Sequence, residues 1–127
     1  MSSAFWLMFG SLFSGLSVAF GAFGAHALKN RVDSYYLEIF ETGARYQMYH
    51  GLALIGLAFA SSKVDDYWLK VAGFLMIFGT IVFSGSLYTL VFTGVKKWGA
   101  VTPIGGSLLL ISWTILFAIS FSSWMKS

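Results

Sequence analysis

The chain contains no cysteine. Disulfides, thiolate nucleophiles and thiolate metal sites are therefore excluded, and cysteine usage says nothing of the redox compartment. Proline occurs once, at Pro103. Charge is scarce: Asp, Glu, Lys and Arg make up 10% of the 127 residues, against roughly 25% in a soluble domain. With 57% hydrophobic residues and a mean hydropathy of +0.77, this excludes an ordinary soluble protein and a disordered chain alike. The length allows one domain. Catalytic signatures are missing as well. The fourteen glycines contain no phosphate-binding fingerprint. Phe83-Ser84-Gly85-Ser86-Leu87 lacks the first glycine of a Gly-x-Ser-x-Gly elbow. No carboxylate falls in a clearly buried stretch where it could orient a histidine.

What is present is a series of apolar runs. About 20 apolar residues span a bilayer, and Ala4 to Leu28 runs uncharged up to Lys29. Ala25-His26-Ala27 mimics a signal-peptidase site, but a basic leader is missing and the run is too long, so a retained helix is expected. After Asn30-Arg31-Val32, Asp33 or Ser34 can cap a second helix. In that helix Tyr36, Phe40, Gly43, Gln47, His50 and Leu54 share one stripe, and Glu38, Glu41 and Arg45 fall opposite. Glu41 precedes Arg45 by four residues, the favourable order for a helix ion pair. Ser61 to Asp66 forms a polar connection, Tyr67 and Trp68 open a third run, and Lys96 to Gly99 forms a turn. Thr102 is expected to cap the fourth helix, with Pro103 at its first position, where no amide donor is needed.

The fold class that follows is all-α: a polytopic membrane protein of four transmembrane helices in an up-and-down bundle. The helices fall at about 4–28, 34–61, 67–94 and 103–124 of a single domain spanning 1–127, and helix two carries an amphipathic N-terminal extension. Both termini lie on one side. The loops of the opposite side hold Lys29, Arg31, Arg45, Lys96 and Lys97, against Lys63, Lys70 and Lys126 on the terminus side. The positive-inside rule then puts the termini outside. Phe13-Ser14-Gly15 recurs as Phe83-Ser84-Gly85, with Gly24 matched by Gly94, an echo that would fit duplication of a helix pair.

Ionisable residues at membrane depth face the bundle interior and mark a pathway or a structural link. His26 and His50 are such residues, expected toward the same side of the membrane and near enough to approach each other. With Gln47, Tyr46, Ser84 and Tyr88 they form a candidate polar interhelical cluster. Three readings stay open. The histidines can hydrogen-bond carbonyls or tyrosines between helices, or they can handle protons, because imidazole titrates near neutrality. Metal binding is the third, but two histidines without an inward carboxylate are a poor ligand set, so no metal is assigned. Thr102, Gly105 and Gly106 form a second candidate site, for an anion at a helix start or simply for capping and close packing. Helix one carries two stripes of small residues. Gly10, Ser14, Ser17, Gly21 and Gly24 form one, Gly15, Ala19 and Ala22 with His26 the other, so it is expected to be central in the bundle.

Four blocks taken together resemble a known family. They are Gly21 to Leu28 with His26, then Thr42-Gly43 with Tyr46-Gln47 and His50, then Phe83 to Tyr88, then Thr102-Pro103-Ile104-Gly105-Gly106. Their order and spacing resemble the small four-helix membrane family catalogued as domain of unknown function 423. The resemblance implies a multi-pass inner or plasma membrane protein. It carries over no reaction.

The expected function is therefore that of an integral membrane protein without catalytic residues or cofactor, a structural, accessory or assembly component. A small proton-coupled transporter or channel using His26 and His50 is the alternative, and an intramembrane enzyme the second alternative. The expected partners are the lipid bilayer and a second copy or another membrane protein. Nucleic acid is not among them, because the eight basic residues read as loop and headgroup charges.

Overall fold

A computed structural model of the chain describes residues 3–127. Its long elements are four α-helices: α1 (Ser3–His26), α2 (Ser34–Ala60), α3 (Asp66–Thr93) and α4 (Thr102–Lys126). Single-turn 3-10 segments, Leu28–Asn30 and Lys96–Ala100, sit in the first and third connections. No strand occurs among the described residues. The second connection ends where the Asp65 carboxylate accepts the amide of Trp68 at 3.0 Å and caps α3. α3 stops at Gly94, whose φ of +70° is a left-handed conformation that glycine adopts without a Cβ penalty. The paired residues of the sequence echo thus differ in role, because Gly24 lies within α1 against the Phe40 ring.

Three stretches, Ser3–Asn30, Asp66–Thr93 and Lys96–Lys126, are long and apolar enough to cross a membrane. α2 falls short of that apolarity because its first half carries Glu38, Glu41, Arg45 and Gln47. Its stripe is nevertheless the one expected: Phe40, Gly43, Gln47, His50 and Leu54 are all buried, whereas Glu38, Glu41 and Arg45 are exposed. The expected Glu41–Arg45 ion pair does not form. Arg45 donates instead to the Thr42 hydroxyl, one turn earlier, at 3.2 Å.

Helices adjacent in sequence pack against each other, each antiparallel to the next, and α2 and α3 occupy the middle. This corrects the expectation that α1 is central. Only one of its small-residue stripes is used: Gly10, Ser17 and Gly24 are buried, while Gly15, Ala19 and Ala22 are exposed. The backbones of α1 and α2 approach most closely at Gly10 and Gly51. A Cβ on Gly10 would lie 2.7 Å from the Gly51 carbonyl oxygen and 2.9 Å from the Ile55 amide nitrogen. α1 meets α3 through rings rather than backbone. The Trp6 indole, 1% exposed, lies flat against Gly73 and edge-on to Phe74. Around Trp6 the core collects Phe13, Leu54, Leu57, Leu69, Met76 and Ile77.

The outer surface is apolar to a degree that water would not tolerate. Phe59, Phe92, Leu110, Phe117 and Trp124 each expose more than half of their surface, the pattern of a lipid-facing exterior.

Gly10→Ala should therefore destabilise the protein by about 1–3 kcal/mol, because the added methyl meets backbone that must move. Gly15→Ala, which meets nothing within 4 Å, should stay within about 0.5 kcal/mol of the parent. Unfolding of both variants in mixed micelles of denaturing and mild detergent measures the contrast.

Candidate functional site

Most polar side chains of the interior pin neighbouring helices. Ser17 of α1 donates its hydroxyl to the Ala44 carbonyl of α2. Ser84 of α3 donates to the Gly43 carbonyl of α2 at 2.7 Å, and Ser112 of α4 to the Ala72 carbonyl of α3 at 2.6 Å. Each acceptor is a helix carbonyl with a spare lone pair, so the seam gains a bond without disturbing the helix.

Gln47 does more, because its amide has two ends. Nε2 donates to the Phe13 carbonyl of α1 at 2.9 Å, and Oε1 accepts from the Tyr88 hydroxyl of α3 at 2.8 Å. One buried side chain on α2 thus ties three helices. Tyr88 reaches it because Gly43, one turn before Gln47, leaves room for the ring: a Cβ there would lie 2.8 Å from Tyr88 Cε1. Gly43, Gln47, Ser84 and Tyr88 form one unit.

His50 lies one turn beyond Gln47 and bonds in another direction. The Trp113 indole N–H of α4 donates to Nε2 at 3.0 Å, and the Tyr46 carbonyl stands 2.7 Å from Nδ1. An indole N–H only donates and a carbonyl only accepts. The imidazole must therefore carry its proton on Nδ1, donate it to Tyr46 and accept at Nε2, which is the neutral form. Both ring nitrogens are occupied. Tyr46 contributes its carbonyl, and its ring packs tilted against Phe83 with centroids 4.7 Å apart.

His26 does not join this group. It is the last residue of α1 and is exposed. His50 sits beside Gly51, where a Cβ would meet Ser14, twelve residues back along α1. At 1.5 Å per residue the two histidines differ in depth by about 18 Å. The expectation that they approach each other is overturned, and with it a shared proton relay or metal pair. His50 stands at mid-helix depth, not toward one face, because α2 starts well before its apolar part.

Thr102, Gly105 and Gly106 are placed apart from the cluster, on the seam between α3 and α4. Gly105 faces the backbone of α3, and a Cβ there would lie 2.7 Å from Phe83 Cα and 2.9 Å from the Gly79 carbonyl oxygen. Its role is close packing. Thr102 makes no side-chain cap; its hydroxyl instead pairs with Ser86 of α3. The helix needs no such cap, because the turn before it continues into it, with Val101 N–H bonded to Trp98 and Ile104 N–H to Val101. The anion reading of this site is therefore replaced by a helix seam.

Trp113, Ser17 and Ser112 were not among the candidate residues. Trp113 did leave a signal, since tryptophan favours membrane interfaces and an indole in mid-span needs a partner for its N–H. Two further hydroxyls, Ser14 Oγ and Thr80 Oγ1, are buried without a partner among the described residues.

Comparison with known proteins places this arrangement. The family model described as "Protein of unknown function (DUF423)" matches residues 20–106. The chain is 44% identical over 117 residues to the UPF0382 membrane protein of Staphylococcus aureus, covering 91% of this chain and 93% of that one. It is 40% identical over 111 residues to the UPF0382 membrane protein YwdK of Bacillus subtilis, covering 87% and 90%. It is 37% identical over 116 residues to the UPF0382 inner membrane protein YgdD of Escherichia coli K12, covering 91% and 88%. No solved structure matches the chain.

The clasp predicts a measurable coupling. In a double-mutant cycle of Gln47→Leu and Tyr88→Phe, the coupling free energy should be at least about 0.6 kcal/mol, the average for interhelical bonds in membranes, and no more than about 1.7 kcal/mol, the largest. Additive effects in detergent unfolding would show that the two groups do not act together.

Proposed function

Because the chain belongs to the DUF423 family of membrane proteins, we propose that it is a non-enzymatic membrane component, an accessory or assembly protein whose interior is built for packing. The observation that carries this reading is the use of His50 and Gln47. Every strong hydrogen-bonding position of His50 is taken by Tyr46 and Trp113, and both ends of the Gln47 amide are taken by Phe13 and Tyr88. None of the four clefts described on the surface is lined by either residue. A catalytic or transporting group needs an approach for substrate, water or ion. Here helix contacts stand where that approach would be.

In this reading α2 crosses the bilayer as the fourth span. α1 and α3 each suit a membrane span and run in the same direction, so the chain must return between them, and α2 is the long helix in that interval. Its polar stripe is covered by α1, α3 and α4, and its charged residues gather in the first turns, at headgroup level. The termini then share one side, and the cations support that side being outside, with Lys29, Arg31, Lys96 and Lys97 in the connections of the opposite side and Arg45 on α2, against Lys63, Lys70 and Lys126 toward the termini. The partners are the bilayer and a second copy or another membrane protein. Exposed Gly15, Ala19 and Ala22 leave on α1 a strip of small side chains of the kind at which membrane helices approach closely.

The competing reading is proton-coupled transport through His50. It draws on Ser14 and Thr80, the buried hydroxyls without partners, which water entering the bundle would reach. His50→Ala separates the two. Under the structural reading it opens a gap between α2 and α4 and leaves the Trp113 N–H without its acceptor. It should destabilise the purified protein by about 1–3 kcal/mol, and pH-gradient-driven uptake in proteoliposomes should be the same before and after. Unchanged stability with loss of a pH-dependent flux overturns the proposal. For sidedness, a C-terminal reporter fusion active only outside the cytoplasm should give signal; signal from a cytoplasm-only reporter instead would reverse the orientation.

A further inference from the structure

The largest described cleft lies at the terminus side of the bundle, well away from the Gln47–His50 cluster. It has a volume of 660 Å³ and is formed where the α2–α3 connection faces the last three turns of α4. Its chemistry changes with depth. At the rim stand Lys63 and Lys126, with the Ser122 hydroxyl and the Trp68 indole. Deeper along α4 the wall becomes Ile119 and then Ile115. From Lys126 to Ile115 is eleven residues, about 16 Å along the helix axis. The cleft therefore descends from the membrane surface into hydrocarbon, with cations and hydroxyls above and branched alkyl groups below.

We propose that this cleft binds one anionic phospholipid, with the phosphate held by Lys63 and Lys126 and the upper acyl chain lying against Ile115 and Ile119. The charge balance supports it. Lys70 is paired with Asp66 at 2.9 Å, and neither Lys63 nor Lys126 has an ion-pair partner among the described residues. Asp65 also lines the cleft, but its carboxylate is engaged as the cap of α3, leaving two cations against one committed anion. The rim is also held in place. The Ser123 hydroxyl donates to the Lys63 carbonyl at 3.0 Å and ties the connection to α4. Trp68, half-exposed at the rim, supplies the amphipathic ring that favours headgroup level. An inorganic phosphate shares the headgroup chemistry but would leave the alkyl wall unused, and this is why the lipid is the chosen occupant.

Native mass spectrometry of the delipidated full chain tests the proposal. Dioleoylphosphatidylglycerol, dioleoylphosphatidylcholine and inorganic phosphate are titrated separately. The expected result is one retained phosphatidylglycerol, with phosphatidylcholine and phosphate far weaker. Lys63→Gln and Lys126→Gln should each weaken retention about 5-fold, and the double variant about 30-fold, as for two cations at an anionic headgroup. Lys96→Gln/Lys97→Gln, on the opposite side, should leave retention unchanged. If the double variant does not fold, the two single variants carry the same test. Equal retention by parent and Lys63/Lys126 variants overturns the site, as does equal loss in the Lys96/Lys97 control. Inorganic phosphate binding alone as tightly as phosphatidylglycerol overturns the lipid as its occupant.

Discussion

Gln47 places a primary amide in the middle of three helices, and the packing around it follows from what an amide demands there. A packed interior excludes water, so a buried amide must find its donors and acceptors within the protein. Phe13 and Tyr88 supply them from opposite flanks of α2. To do so, α1 must bring its backbone to within bonding distance, which requires the glycine contact at Gly10 and Gly51. α3 must bring a ring across the seam, which requires Gly43 to have no side chain. The polar clasp and the glycine seams are two sides of one constraint. Small residues bring the helices close, and the closeness lets short hydroxyl and amide groups reach a neighbouring carbonyl.

The order of the helices in space matches their order in the chain. α1 packs on α2, α2 on α3, and α3 on α4. Each helix therefore meets its main partner as soon as the next hairpin is complete, and long-range threading is not needed. The aromatic bridge between α1 and α3, with Trp6 against Gly73, is the main exception, and it closes the core at the terminus end.

The helix pattern was legible because it rests on composition and period. Uncharged runs of bilayer length, the stripe of α2 and the proline at the start of α4 each state a local fact about the chain. The identity of the cluster was half legible. Gln47, His50, Ser84 and Tyr88 stand out as polar residues in apolar surroundings, and the structure joins Ser84 and Tyr88 of α3 to Gly43 and Gln47 of α2. What the sequence did not contain was depth. His26 and His50 look alike when read along the chain, yet one ends a helix and the other sits at its middle, since α2 begins with turns that carry charge. Thr102 likewise looked like a cap because the residues before it resembled a loop, whereas those residues form a 3-10 turn that continues into α4. Trp113 is not legible as the partner of His50 along the chain, because its role depends on which helix faces α2, and that is a tertiary fact.

The bonds that hold these seams are unequal in what they ask of their two partners. Ser17, Ser84 and Ser112 must keep a hydroxyl, and Gln47 its amide, but the oxygens they reach at Ala44, Gly43, Ala72 and Phe13 belong to the main chain. Every residue type carries that oxygen. Genetic change at an acceptor position is therefore limited only by the size of the new side chain, while change at a donor position removes the bond. A membrane protein fastened in this way can drift along one half of each seam and keep its architecture, with the burden of inheritance falling on a small set of polar donors.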